Sequence, residues 1–191
     1  MEIATPSRRP VASWIGFLSC SSRSLLEVGR QALDDLIRHA ESGYPEEVCG
    51  FLIGVVVGEA TRVTRIRPVR NVWSEDEVLV RDLTDSLSDS DSDRAMEFAA
   101  AAATTRFAID PREQLQVMRE VRGESARIVG LYHSHPDHPA VPSGWDAEFA
   151  WEECSFAIAS VVGGCFAELR SWRRVSGGTA MLEETILTTT P

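Results

Sequence analysis

The stretch Ala126-Arg127-Ile128-Val129-Gly130-Leu131-Tyr132-His133-Ser134-His135-Pro136-Asp137-His138 runs from an apolar strand into a loop holding three of the chain's four histidines. Ala126 to Tyr132 has the apolar, β-branched character of a buried strand. Side chains two apart on extended backbone share a face, so His133 and His135 can converge on one ion. Ser143 and, three residues on, Asp146 follow downstream. Two imidazoles and one carboxylate, with a fourth position left for water, are the ligand arithmetic of a catalytic zinc. Such an ion lowers the pKa of water to about 7 and polarises a scissile carbonyl. A base must still move the proton from the water to the leaving amine. Glu46 and Glu47, just before the apolar run Val48 to Val57, are the candidates. Ser143-x-x-Asp146 also reads as a capping box, and a first-turn Asp can cap a helix while offering an oxygen to a metal.

Outward from this centre the pattern is that of an α/β (α+β) domain, a mixed β-sheet flanked by helices. Ser24 to Val28 reads as a short strand. Leu33, Leu36, Ile37 and Ala40 form the apolar stripe of an amphipathic helix that Gly43 and Pro45 stop. Val48 to Val57 reads as a central strand whose Gly50 and Gly54 admit close neighbours, with Thr61 to Val72 antiparallel beside it. Thr104 to Ile109 is expected as a short strand. Asp110-Pro111 then opens a helix that turns Leu115, Met118 and Val121 inward and ends at Gly123. A helix from about Ser143 to Glu153 precedes strands at Phe156 to Val162 and Phe166 to Val175. Thr179 to Leu187 is expected as a final edge strand.

Residues 1–22 read as an N-terminal extension, and 23–191 as the domain proper. Ser7-Arg8-Arg9 and the apolar Val11 to Leu18 mimic a signal peptide, but the run is short and lacks an A-x-A site. The expectation is a cytoplasmic protein. Residues 74–97 hold nine acids against Arg81 and Arg94, −7 of the chain's −10, and read as a solvated acidic loop insertion. The central Ala99 to Ala103 run favours helix.

Composition sets bounds on function. The 191 residues carry a net charge of −10, which disfavours a general nucleic-acid binder, since duplex affinity rests on basic side chains. No apolar run reaches the ~20 residues of a membrane span. The four cysteines are irregularly spaced and form neither a disulfide framework nor a zinc knuckle. All 19 basic residues are Arg, Lys is absent, and Asn71 is the only Asn. A GC-rich genome accounts for this, as does lysine avoidance beside a lysine-conjugating system.

Glu47-Val48-Cys49-Gly50, followed by His133-x-His135, seven residues and Ser143-x-x-Asp146, resembles the JAMM motif of the MPN (JAB/Mov34) metalloproteases. The resemblance spans about Ser24 to Val175 and implies a cytidine-deaminase-like fold. It implies Zn2+ as cofactor, with His133, His135 and Asp146 as metal ligands. Glu47 would be the general acid/base, with Glu46 as second choice, and Ser143 the hydroxyl that steadies the oxyanion. Ser134 should face away, and Asp137 and His138 are loop residues outside the motif. The loop His133-Ser134-His135-Pro136 and the chain's length are similar to the small prokaryotic members. That implies hydrolysis after the C-terminal Gly-Gly of a ubiquitin-like β-grasp or sulfur-carrier protein, with E1-like conjugation enzymes as further partners. Two alternatives stay open at this stage: a RadC-like protein linked to DNA repair, with a similar His-x-His-Pro core, and a non-catalytic interaction module braced by its metal. RadC-like proteins usually carry Asn where Ser134 stands.

Overall fold

A computed structural model describes residues 25–73 and 105–190; the expected extension 1–22, the acidic segment 74–97 and the Ala99 to Ala103 helix lie outside them. Strand β2 (Cys49–Val57) holds the centre, its first six residues buried. It pairs antiparallel with β3 (Ala60–Val69) on one side and with β4 (Arg127–Pro136) on the other. A Cβ at Gly54 would run into the Arg62 carbonyl, and one at Gly50 into the Tyr132 ring. Bare backbone at these two positions lets the neighbours close in.

From β4 the sheet continues through β5 (Ser155–Val162), parallel to it, then β6 (Cys165–Arg174) and β7 (Met181–Thr189), each antiparallel to the strand before. Strand β1 (Leu25–Gly29) lies parallel to both β3 and β7 and closes the seven strands into a barrel. The last strand is therefore not an edge, as the sequence suggested. β1, with Leu26 and Val28 fully buried, covers it and removes the exposed row of backbone groups.

Helix α1 (Arg30–Gly43) returns over this sheet and buries Ala32, Leu36 and Ala40 against Leu26, Leu52, Val63 and Tyr132. A second apolar cluster, with Phe51, Ile53, Leu131, Phe156 and Ile158, packs around Val117 of α2 (Pro111–Glu120). Asp110 caps α2 as expected, its carboxylate accepting from the Arg112 N–H at 2.7 Å. The helix is rotated from the expected phase, however. Val117 points inward and Val121 is half-buried, while Leu115 and Met118 are each 51% exposed. Val117 fixes the face by packing in the Phe51 cluster, and Glu113 and Glu120 pair with Arg70 and Arg67 at the surface.

Two further expectations are corrected. Residues 105–109 form no strand; they are held by one backbone bond, Val72 N–H to the Ala108 carbonyl at 3.0 Å, and by the Asn71 side chain. The helix after Ser143 is shorter than expected, α3 spanning Gly144–Phe149. The backbone turns extended at Ala150, and Arg174 takes the carbonyls of Glu148 and Ala150 there, both at 3.1 Å. Among the described residues no helix is long and apolar enough to cross a membrane.

Candidate metal centre

The site forms where β4 outruns its ladder with β2. Cys49 is opposite His133, and beyond that pair Ser134 carries the contact one residue further. The Ser134 N–H donates to the Val48 carbonyl at 2.9 Å, and its hydroxyl accepts from the Val48 N–H at 3.0 Å. Ser134 thus faces away from the histidines and fixes the residue next to Glu47. Of the two candidate bases, Glu47 is only 5% exposed, whereas Glu46 lies on the surface. Of the two, Glu47 is the one buried at this end of β2.

His133 is fully buried, stacked on Phe107 with ring centroids 4.6 Å apart and against Phe156 at 5.0 Å. Its Nδ1 has no hydrogen-bond partner among the described residues, and packing against the two rings holds that edge. His135 is held differently: its Nδ1 lies 2.9 Å from the Pro139 carbonyl, so the proton sits there and Nε2 keeps a lone pair. Asp146 is placed by the capping box at the start of α3. The Ser143 N–H donates to Asp146 Oδ2 at 2.7 Å, and the Asp146 N–H donates to Ser143 Oγ at 3.2 Å. Ser143 Oγ accepts in that bond and retains its own proton to donate.

The loop carrying Pro139 is itself anchored. Asp137, at φ 55°, accepts from the Tyr44 hydroxyl at 2.9 Å and the Gly163 N–H at 2.8 Å. The Ser160 hydroxyl donates to the His138 carbonyl at 2.7 Å, and Trp172 Nε1 donates to the Ala140 carbonyl at 3.1 Å. Asp137 is therefore more than a loop residue: it fastens the loop to α1 and the β5–β6 turn. A cleft of about 270 Å³ opens beside Glu47, lined by Thr105, Arg106, His138, Val141, Ser143 and Trp145.

The three expected ligands meet. His133 Nε2 lies 2.9 Å from His135 Nε2 and 3.3 Å from Asp146 Oδ1, while His135 Nε2 lies 3.6 Å from Asp146 Oδ2. Bonds of about 2.0–2.1 Å at tetrahedral angles put neighbouring zinc ligands roughly 3.3 Å apart, and one ligand atom from each of the three residues lies within 4.8 Å of the others. The residues fit such an ion. Among the described residues they form the group of His, Asp, Glu and Cys side chains able to hold a metal.

Electrostatics follow burial. Desolvation drives His133 down to about 3, leaving a neutral imidazole of the form a metal takes. Burial opposes protonation of His135, but Asp146, the Pro139 carbonyl and Glu47 together raise it. Burial likewise opposes ionisation of Asp146, and the two imidazoles and Ser143 outweigh it, holding this carboxyl well below the usual range. Glu47 is pushed up to about 8, chiefly by burial, with His135 and Arg106 pulling down against Asp146. Sequence reasoning passed over Arg106, Trp145 and Asn71 at this site; only Asn71 carried a signal, as the sole Asn of the chain.

The fold and the residue spacing have a counterpart among known proteins. The chain belongs to the prokaryotic homologs of the JAB domain, whose family model matches residues 29–175. It is 30% identical over 142 residues to the desampylase of Haloferax volcanii, covering 72% of this chain and 81% of that protein. It is 26% identical over 163 residues to the CysO-cysteine peptidase of Mycobacterium tuberculosis, covering 85% and 90%. A solution structure of a protein from Desulfitobacterium hafniense shares the fold, with a TM-score of 0.63 at 24% identity over 87% of this chain and 94% of that one.

Proposed function

We propose that this chain is a zinc-dependent peptidase that hydrolyses the bond following the C-terminal Gly-Gly of a ubiquitin-like β-grasp or sulfur-carrier protein. The observation that carries the reading is the meeting of His133, His135 and Asp146 beside a buried Glu47 at the end of an open cleft. The similarity to a desampylase and to a CysO-cysteine peptidase supports the substrate class.

His133, His135 and Asp146 would hold the zinc, which when bound supplies a Lewis acid that acidifies water and polarises a carbonyl. Glu47 takes the proton of the attacking water on its carboxylate and delivers it to the departing nitrogen. A base titrating near the working pH is suited to both transfers, and burial moves Glu47 in that direction. Ser143, fixed by its cap to α3, donates its hydroxyl proton toward the oxygen that gains charge. The absence of a side chain at Gly-Gly lets that backbone lie flat in the cleft.

In this reading 23–191 is the peptidase domain, 1–22 an extension and 74–97 a substrate-facing acidic insertion. The protein works in the cytoplasm, beside E1-like enzymes that activate the carrier. The test is cleavage of a small β-grasp protein extended beyond its Gly-Gly, and of the same protein in isopeptide linkage, read by mass. Wild type should release a product ending in Gly-Gly, and Glu47→Gln should release none. Intact substrates after incubation with zinc-loaded wild type would contradict the assignment.

A further inference from the structure

Asn71 is the only asparagine in the chain, and every hydrogen-bonding position of its amide is used beside the site. Nδ2 donates to the Glu47 carbonyl and to the Arg106 carbonyl, both at 2.9 Å. Oδ1 accepts from the Trp73 N–H at 3.0 Å and the Ala108 N–H at 3.1 Å. Two N–H groups on one side and two carbonyls on the other leave a single orientation for this amide. Aspartate has no donor for the carbonyls, and a longer glutamine displaces the whole set.

These four bonds join pieces that the barrel ladder does not. Glu47 precedes β2, and residues 105–109 belong to no strand. Thr105 and Arg106 wall the cleft, while Phe107 in the same segment stacks on His133. Trp73 packs edge-on against Trp145 at 5.0 Å, next to Asp146 on α3. From the other side, Ser134 grips Val48. The Glu47–Val48 peptide is thus held from both sides, its carbonyl by Asn71 and its N–H by Ser134.

We propose that Asn71 is a positioning residue, a four-way clamp that holds Glu47 and the cleft wall Thr105 to Ala108 in register with the His133, His135 and Asp146 triad. The inference rests on the reading of Glu47 as the base. Asn71 acts through the backbone carbonyls of Glu47 and of the wall. Misplacing a reacting group by about 1 Å costs roughly 100-fold in rate, so the register set by the clamp bears directly on the base.

Asn71→Asp separates the two halves of the clamp. The carboxylate keeps acceptors for Trp73 and Ala108 but turns lone pairs toward the Glu47 and Arg106 carbonyls. Asn71→Ala removes all four bonds. Three readouts apply to both variants beside wild type: backbone hydrogen exchange, zinc affinity by competition with a chromophoric chelator, and single-turnover cleavage of a Gly-Gly-extended carrier at saturation. In Asn71→Asp, exchange should rise at least tenfold in peptides covering 46–49 and 105–109 and stay unchanged in β5. Zinc affinity should remain within threefold of wild type, and the single-turnover rate should fall roughly 100-fold. A purely structural role would raise exchange throughout the barrel and weaken zinc in step with rate. That pattern, or a wild-type rate in Asn71→Asp, overturns the proposal. If wild type itself leaves the carrier intact, the function proposed above fails. The clamp is then judged by exchange and zinc affinity, and unchanged exchange at 46–49 and 105–109 overturns it.

Discussion

Glu47→Gln in the metal-free protein isolates the cost of burying the base. The Glu47 carboxyl is raised from 4.5 to about 8, mainly by burial in the site. The folded state therefore holds a proton on this group that the unfolded chain has released. Stability from this group is complete below pH 4.5, falls as pH rises toward 8, and is level above that. At about 1.36 kcal/mol per unit, the raised carboxyl costs about 4–5 kcal/mol at pH 9. Spread over a domain of this size that is roughly 10–20 °C in melting temperature. Gln does not ionise, so the variant should lack this slope. The assay is thermal unfolding of wild type and Glu47→Gln in chelator, every half unit from pH 4.5 to 9. The two curves should converge at the acid end, separate as pH rises toward 8 and run parallel from there to pH 9, Glu47→Gln being the more stable. Adding zinc should narrow the separation, because a cation facing Glu47 favours its charged form. Parallel curves across the range would refute the assignment of Glu47 as a buried, desolvated carboxylate.

Other consequences are equally specific. Zinc at 100 times its dissociation constant should stabilise wild type by about 2.7 kcal/mol, and His135→Ala should remove that shift in differential scanning fluorimetry. Ser143→Ala breaks the cap that seats Asp146, so about 1 kcal/mol of stability should go. Its kcat should drop by roughly 100- to 1000-fold in a carrier-cleavage time course. Arg173→Met leaves the Glu184 carboxylate, whose side chain is wholly buried and 2.8 Å from Arg173, without its charge partner. Urea unfolding should show a loss of about 3–5 kcal/mol, and Arg173→Met combined with Glu184→Leu should recover most of it.

The site was more legible than the barrel around it, for physical reasons that differ by residue. His133 and His135 sit two apart on extended backbone, so local geometry alone places them on one face. Ser143 and Asp146 form a local cap that also aims the carboxylate. Glu47 lies 86 residues from His133 in the chain, and a generic apolar strand after two acids did not by itself choose between Glu46 and Glu47. The pairing of Cys49 with His133 brings a buried Glu47 next to the histidines, a long-range contact that no local pattern encodes. Closure of the barrel escaped because β1 and β7 are far apart in sequence, and parallel pairing leaves no turn between them to read. The phase of α2 escaped because the inward face is taken by Val117 and Val121 against the Phe51 cluster, a tertiary contact that the helix's own apolar residues do not reveal. Residues 105–109 looked like a strand, and long-range bonds from Asn71 and Val72 hold them instead.

The central claim, that His133, His135 and Asp146 hold one zinc on which Glu47-dependent hydrolysis relies, is met most directly by titrating zinc into metal-free protein while following carrier cleavage. The account predicts a rate that climbs linearly and breaks at one zinc per chain, with Glu47→Gln binding the same single zinc and cleaving nothing. Cleavage that persists in the metal-free protein, or proceeds undiminished in Glu47→Gln, would contradict it.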